Sequence, residues 1–236
     1  GAIGTVLTRT NFGTVWVFRL AGIGLLAAGF LLAHRTLREN RRRPEFRAGT
    51  GLLGALLLVS LAGAGHASGT DQSLRTFNVA ADGLHLLAGG VWLGALVPLA
   101  CVVGRARVSA ASATAVWNVA RRFSVLGMAS VGSILATGVI NAWLLVGRLS
   151  ALVGTGYGRL LLLKLALFAT MVAIAAVNRF RLTPRLVPGT APPGSVRDAA
   201  ARLRRNTVAE LVLGTLIVLI VGALGIMVPP PHVHHH

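Results

Sequence analysis

The sequence predicts an all-α, polytopic transmembrane bundle, and three observations carry that prediction. The chain is 54% hydrophobic and only 12% charged, a balance that suits an outside facing lipid better than one facing water. Its apolar residues gather into stretches of about 20, the length a helix needs to cross a bilayer. Between those stretches the basic residues cluster in alternate loops, as the positive-inside rule requires.

Six stretches qualify: Thr14 to Ala33, Thr50 to Ala67, Phe77 to Val102, Phe123 to Val146, Arg159 to Val177 and Thr207 to Val228. Helices are expected throughout, because lipid offers the backbone no other partners. Helix one is followed by an Arg-rich run, Arg35 to Arg47. Gly69-Thr-Asp71-Gln-Ser makes a short turn between helices two and three, which should therefore be antiparallel neighbours. The segment Thr183 to Ala200 carries Pro184, Pro188, Pro192 and Pro193 and reads as an irregular connection, in which Ser195-Val-Arg-Asp198 starts a short basic surface helix. There is no internal repeat, and residues 1–236 read as a single transmembrane domain.

The net charge of +17 would suit nucleic acid, but its placement argues for topology. Arg35 to Arg47 follow helix one, Arg105, Arg107, Arg121 and Arg122 lie between helices three and four, and seven arginines from Arg179 to Arg205 lie between five and six. These loops share one side, which is expected to be cytoplasmic, leaving the C-terminus periplasmic. Basic residues are not interleaved with aromatics, so no nucleic-acid partner is expected. Cys101 is the one cysteine, which excludes an intrachain disulfide and a paired-cysteine metal site. The chain opens at Gly1 without a charged leader region, so N-terminal helices are expected to be missing from it. The ending His232-Val-His234-His235-His236 fits a metal-binding tail or a purification-tag remnant, and no function is assigned to it.

Chemistry should reside where ionisable groups enter the apolar helices, since each costs a few kcal/mol at membrane depth. Asp82-Gly-Leu-His85 sets an acid and an imidazole three residues apart on helix three, on one helical face. Asp82, His85, Lys164 and Arg19 all lie one to two turns from the external ends of their helices. They form either an ion pair beside an idle histidine or a metal or proton site whose charge Lys164 and Arg19 tune. His66 ends helix two, and two histidines on adjacent helices can ligate copper, zinc or haem iron. Counting rise per residue, however, sets His85 about 10 Å deeper than His66 if both helices begin level. Shared ligation then requires helix two to end deeper or helix three to begin lower.

Polar stripes mark the inward faces: Asn78, Asp82, His85, Gly89 and Trp92 on helix three; Ser130, Ser133, Thr137 and Asn141 on helix four; Tyr157, Lys164, Met171 and Asn178 on helix five. Most of these read as interhelical hydrogen bonds, about 0.6 kcal/mol each. Glu210 is expected to pair with the basic residues near Arg179 and Arg181. The methionines, Met128, Met171 and Met227, are too sparse for a sulfur trap. No nucleotide-binding loop or phosphorylatable Asp-Lys-Thr-Gly sequence is present, so no ATP-driven pump, and no enzyme, is expected.

Taken together, Thr10-Asn-Phe12-Gly13-Thr-Val-Trp16-Val-Phe-Arg19, Gly65-His66-Ala67, Asp82-Gly-Leu-His85 with Trp92-Leu-Gly94, Arg122-Phe-Ser124, Thr137-Gly138, Tyr157-Gly158-Arg159-Leu-Leu-Leu-Leu-Lys164 and Asn178-Arg-Phe-Arg181-Leu-Thr-Pro184 resemble the CopD (copper resistance protein D) family of bacterial inner-membrane proteins. The resemblance implies copper homeostasis, with copper moving from periplasm to cytoplasm beside a periplasmic copper-binding partner, and it implies His66, Asp82 and His85 as the copper positions. Trp92, Asn141, Met128 and Met171, with Cys101, would line the route inward. The competing readings are a haem-binding or redox protein using His66 and His85, and a structural or assembly subunit whose polar cluster only fixes packing.

Overall fold

The computed structural model describes residues 20–28, 44–62, 72–105, 110–146, 153–187 and 192–227. Among these every element is helical. Residues 20–28 form α1; α2 is Pro44–Ala62, α3 Gln72–Arg105, α4 Ala110–Val146, α5 Gly156–Val177 and α6 Pro193–Ile226. Between α5 and α6 the chain passes through a π-helical turn, Asn178–Leu182, and a 3₁₀ turn, Thr183–Leu186. Four helical segments are long and apolar enough to cross a membrane: Thr76–Gly104, Thr114–Ile140, Gly156–Leu186 and Gly194–Gly225. The described apolar part of α2, Ala48–Ala62, is shorter, and the flanks of α1 and the expected continuation of α2 to Ala67 lie outside the described residues. Large apolar side chains such as Leu162, Leu163, Leu165, Val218 and Leu219 stand exposed on α5 and α6, the arrangement expected where the solvent is lipid.

Two helices begin more than ten residues before the start that hydropathy predicts. α4 begins at Ala110, not near Phe123, and α6 begins at Pro193, not at Thr207. Ser195–Asp198 is thus no separate surface helix but the first turns of α6. The reason is propensity. Between Ser195 and Asn206 the chain is mostly Ala, Arg and Leu with no internal Gly or Pro, so nothing stops the helix once Pro193 has started it. At 34 residues, α6 is about 51 Å long against a hydrocarbon core of about 30 Å, so its Arg-bearing turns reach past the apolar layer. α5 starts at Gly156, where the Thr155 hydroxyl accepts the Gly158 amide hydrogen at 3.0 Å, as an N-cap does. The stretch after α5 is also more ordered than its prolines suggest: the π and 3₁₀ turns carry it on to Leu186.

The chain divides into two compact units, Gly1–Leu87 and Ala88–His236, with α3 contributing to each. In the first, α2 lies close against α3. An added Cβ at Gly83 would sit 3.7 Å from the Val59 side chain and 3.9 Å from Ala62 Cβ, confirming the expected helix neighbours.

In the second unit, α3 supplies Ala88, Trp92, Leu96, Leu99 and Val103, all buried at three- and four-residue steps. They pack with Val116, Ala120 and Ile134 of α4, Met171 of α5, and Ala199 and Leu203 of α6. Trp92 meets Phe168 edge-on, ring centroids 5.9 Å apart, a favoured aromatic geometry. Gly214 of α6 faces Leu93 so closely that an added Cβ would strike the leucine methyls. Gly214→Val is expected to cost about 1–3 kcal/mol by overpacking, read as a lower thermal midpoint in detergent; an unchanged midpoint would show that Leu93 yields freely.

Candidate functional site

Asp82 and His85 lie on α3, three residues and about 4.5 Å of helical rise apart. Both are half-buried, and both make polar or electrostatic interactions. The contact of Gly83 with Ala62 fixes the level of α2 here. Ala62 is the last described residue of α2 and Gly83 is the twelfth of α3. From the level of Ala62, α3 runs another eleven residues, about 16 Å, back to its start at Gln72. Ala62 of α2 is thus level with the turn that carries Asp82 and His85. His66 itself lies outside the described residues, as do Arg19 and the terminal histidines.

The remaining expected positions lie on other elements or further along α3. Lys164 is half-buried on α5 and makes a polar or electrostatic interaction. Trp92 and Met171 are each 2% exposed, whereas Met128 is 47% exposed and Cys101 is exposed. Asn141 is in α4, with its side chain outside the described set. Among the described residues no three His, Cys, Asp or Glu side chains gather into a metal set, so a full ligand sphere on α3 requires residues beyond them.

A second polar cluster is more developed. Asn206 Nδ2 donates to Asn178 Oδ1 at 2.7 Å, and Asn178 Nδ2 donates to Glu210 Oε1 at 2.6 Å. Glu210 and Thr207 are 0% exposed and Asn178 is 7% exposed. Glu210 thus takes an amide hydrogen from Asn178, not the arginine expected for it. Arg179 instead turns to α4, its Nη1 donating to Ser124 Oγ at 2.5 Å. The π-helical turn explains the divergence, since its wider spacing begins at Asn178 itself. The Asn178 carbonyl accepts both the Thr183 amide hydrogen and its hydroxyl, the latter at 2.8 Å. Asn206 is the member that sequence reasoning missed. Its only signal is the four-residue step to Glu210, which places both on one face of α6. On α4, Thr137 Oγ1 donates to the Ser133 carbonyl of its own helix at 2.6 Å; this serine–threonine stripe thus includes an intrahelical bond.

These observations define a multi-pass α-helical membrane protein with ionisable groups inside its apolar helices. A family model described as Copper resistance protein D matches residues 117–224, and one described as Copper resistance protein D-like, N-terminal domain, matches residues 1–76. The chain is 34% identical over 227 residues to "Copper resistance protein D" of Pseudomonas syringae pv. tomato, covering 95% of this chain and 71% of that protein. It is 29% identical to "Copper transport protein CutJ" of Bacillus subtilis (strain 168), over 98% of this chain and 39% of that protein. To "Inner membrane protein YebZ" of Escherichia coli (strain K12) it is 30% identical, over 94% of this chain and 70% of that protein. The chain belongs to the copper resistance protein D family. No solved structure gives a significant match. Asp82 and His85 fall between the two regions matched by the family models, whereas Ser124, Asn178, Arg179, Asn206 and Glu210 fall inside the first.

Proposed function

We propose that the protein carries copper across the bacterial inner membrane, from periplasm toward cytoplasm, through a site on α3 formed by Asp82 and His85 and completed by His66. One observation supports the site above others: the described end of α2 is level with the Asp82–His85 turn. His66 is the fourth residue after Ala62, a reach of at most about 14 Å, which permits it to serve the same turn. Imidazole and carboxylate together suit a borderline transition metal. Copper is the metal in the names of two of the relatives, and the inner membrane is in the name of a third. The Arg-bearing ends of α5 and α6 are assigned to the cytoplasm, with the C-terminus periplasmic and a periplasmic copper-binding protein as donor.

The test is copper entry into proteoliposomes that enclose a copper-sensitive dye. His85→Ala is expected to cut the initial rate at least tenfold while the protein still inserts and elutes as wild type. An unchanged rate would refute the site, and no uptake by the wild type would refute the transport reading.

A further inference from the structure

The Asn206–Asn178–Glu210 chain does more chemistry than packing demands. Glu210 Oε1 receives the Asn178 amide, but Glu210 Oε2 is enclosed without a hydrogen-bond partner on a residue that is 0% exposed. A buried acceptor left unmet costs about 1–3 kcal/mol, and more if charged. The hydrogen bonds run in one direction, from Asn206 through Asn178 to Glu210, so both amides are oriented toward the carboxyl and neither carboxamide oxygen reaches Oε2. What fits that oxygen is a cation. The donors assembled here are one carboxyl and two carboxamides, with the Asn178 oxygen already taken by Asn206. Calcium and magnesium take six or more oxygens, waters included, whereas the uncommitted carboxyl oxygen here is the enclosed Oε2. The set also lacks the imidazole or sulfur that copper favours. A proton needs one oxygen only.

We infer that Glu210 is an exchangeable proton-binding site at the Arg-bearing end of α5 and α6, with Oε2 as the atom that gains and loses the proton and the Asn206–Asn178 pair as the device that orients the carboxyl. The proton comes from and returns to water, and no other bond changes. Its path opens toward the turns that carry Arg204 and Arg205, which are exposed; Arg205 is five residues before Glu210, about 7.5 Å along the helix. The neighbouring π-helical turn carries two charged groups, Arg179 and Arg181, of which Arg181 is exposed; Arg179 is the one tied to α4. Its guanidinium is held by Ser124, and its Nε is also enclosed without a partner. From α4, Arg121 and Arg122 are exposed, Arg121 lying over the Trp117 ring with 5.6 Å to its centroid. The site stands independently of whether copper is the cargo.

The experiment is infrared difference spectroscopy of the intact protein in an ester-free detergent, titrated over pH. A protonated-carboxyl C=O band is expected to appear as pH falls, to shift in D₂O, and to be lost in Glu210→Gln, which keeps the shape and the bond to Asn178. Labelling the wild type with ¹³C-glutamate frees the assignment from the folding of any variant. The glutamates are Glu39, Glu45 and Glu210, and Glu45 is exposed. The labelled band must move and must shift again in Asn178→Leu, which keeps the carboxyl but removes its amide partner. No glutamate band, a band that ignores pH and D₂O, or a band that survives Glu210→Gln would each overturn the inference.

Discussion

Asn178→Leu is expected to destabilise the protein by about 3 kcal/mol, the largest structural loss among the single changes considered. The substitution is close to isosteric, so the loss comes from hydrogen bonding. It removes the acceptor of Asn206 and the donor to Glu210, two bonds worth about 1 kcal/mol each, and leaves buried polar atoms unmet at about 1–3 kcal/mol each. Low surrounding dielectric raises the cost of each unmet group. Removing both interacting groups should cost less than the sum of its parts. Asn178→Leu combined with Glu210→Leu is expected to recover at least 1 kcal/mol over simple addition, because the apolar replacements satisfy each other. Thermal unfolding of the four proteins in one detergent checks this. Strict additivity would show that the relay is not a coupled unit.

The largest functional effect is expected at His85. An imidazole can bind copper through one ring nitrogen while the other is oriented by a neighbour, so on the proposed site His85→Ala would remove a ligand outright. Asp82→Asn leaves an oxygen of the same size and removes the negative charge. His85→Ala is therefore expected to weaken copper binding at least 100-fold, and Asp82→Asn about tenfold, at the lower end of the range for groups that support or partly ligate a metal. Reversal of that order would make Asp82 the principal ligand; no effect of either would remove α3 from the site.

The hydrophobic stretches identified the spanning helices because lipid demands about 20 apolar residues in a row. The helix ends escaped the same reasoning. Hydropathy reports where a helix meets lipid, whereas Ser195 to Asn206 and Ala110 to Arg122 continue as helices with only a few apolar residues turned to the core, Val116 and Ala120 on α4 and Ala199 and Leu203 on α6. The π-helical turn at Asn178 had no local signature, since one more residue per turn is decided by packing.

The site was legible to the extent that charge was out of place. Asp82 and His85 stand out against Leu, Ala and Gly, and Glu210 against Val and Leu. Asn206 did not, because a polar residue beside Arg204 and Arg205 looks solvated until α5, 28 residues away in sequence, is seen to deliver Asn178 to it. The level of α2 against α3 was equally hidden. Equal starting depth was the simplest assumption, whereas the level is set by packing, with Ala62 against Gly83.

The most direct test of the central claim is metal analysis with an absorption spectrum on purified protein lacking His232, His234, His235 and His236, wild type against His85→Ala. Copper bound to the wild type and absent from the variant is the predicted result. Copper retained equally by both proteins, or a Soret band of haem in place of copper, would contradict it.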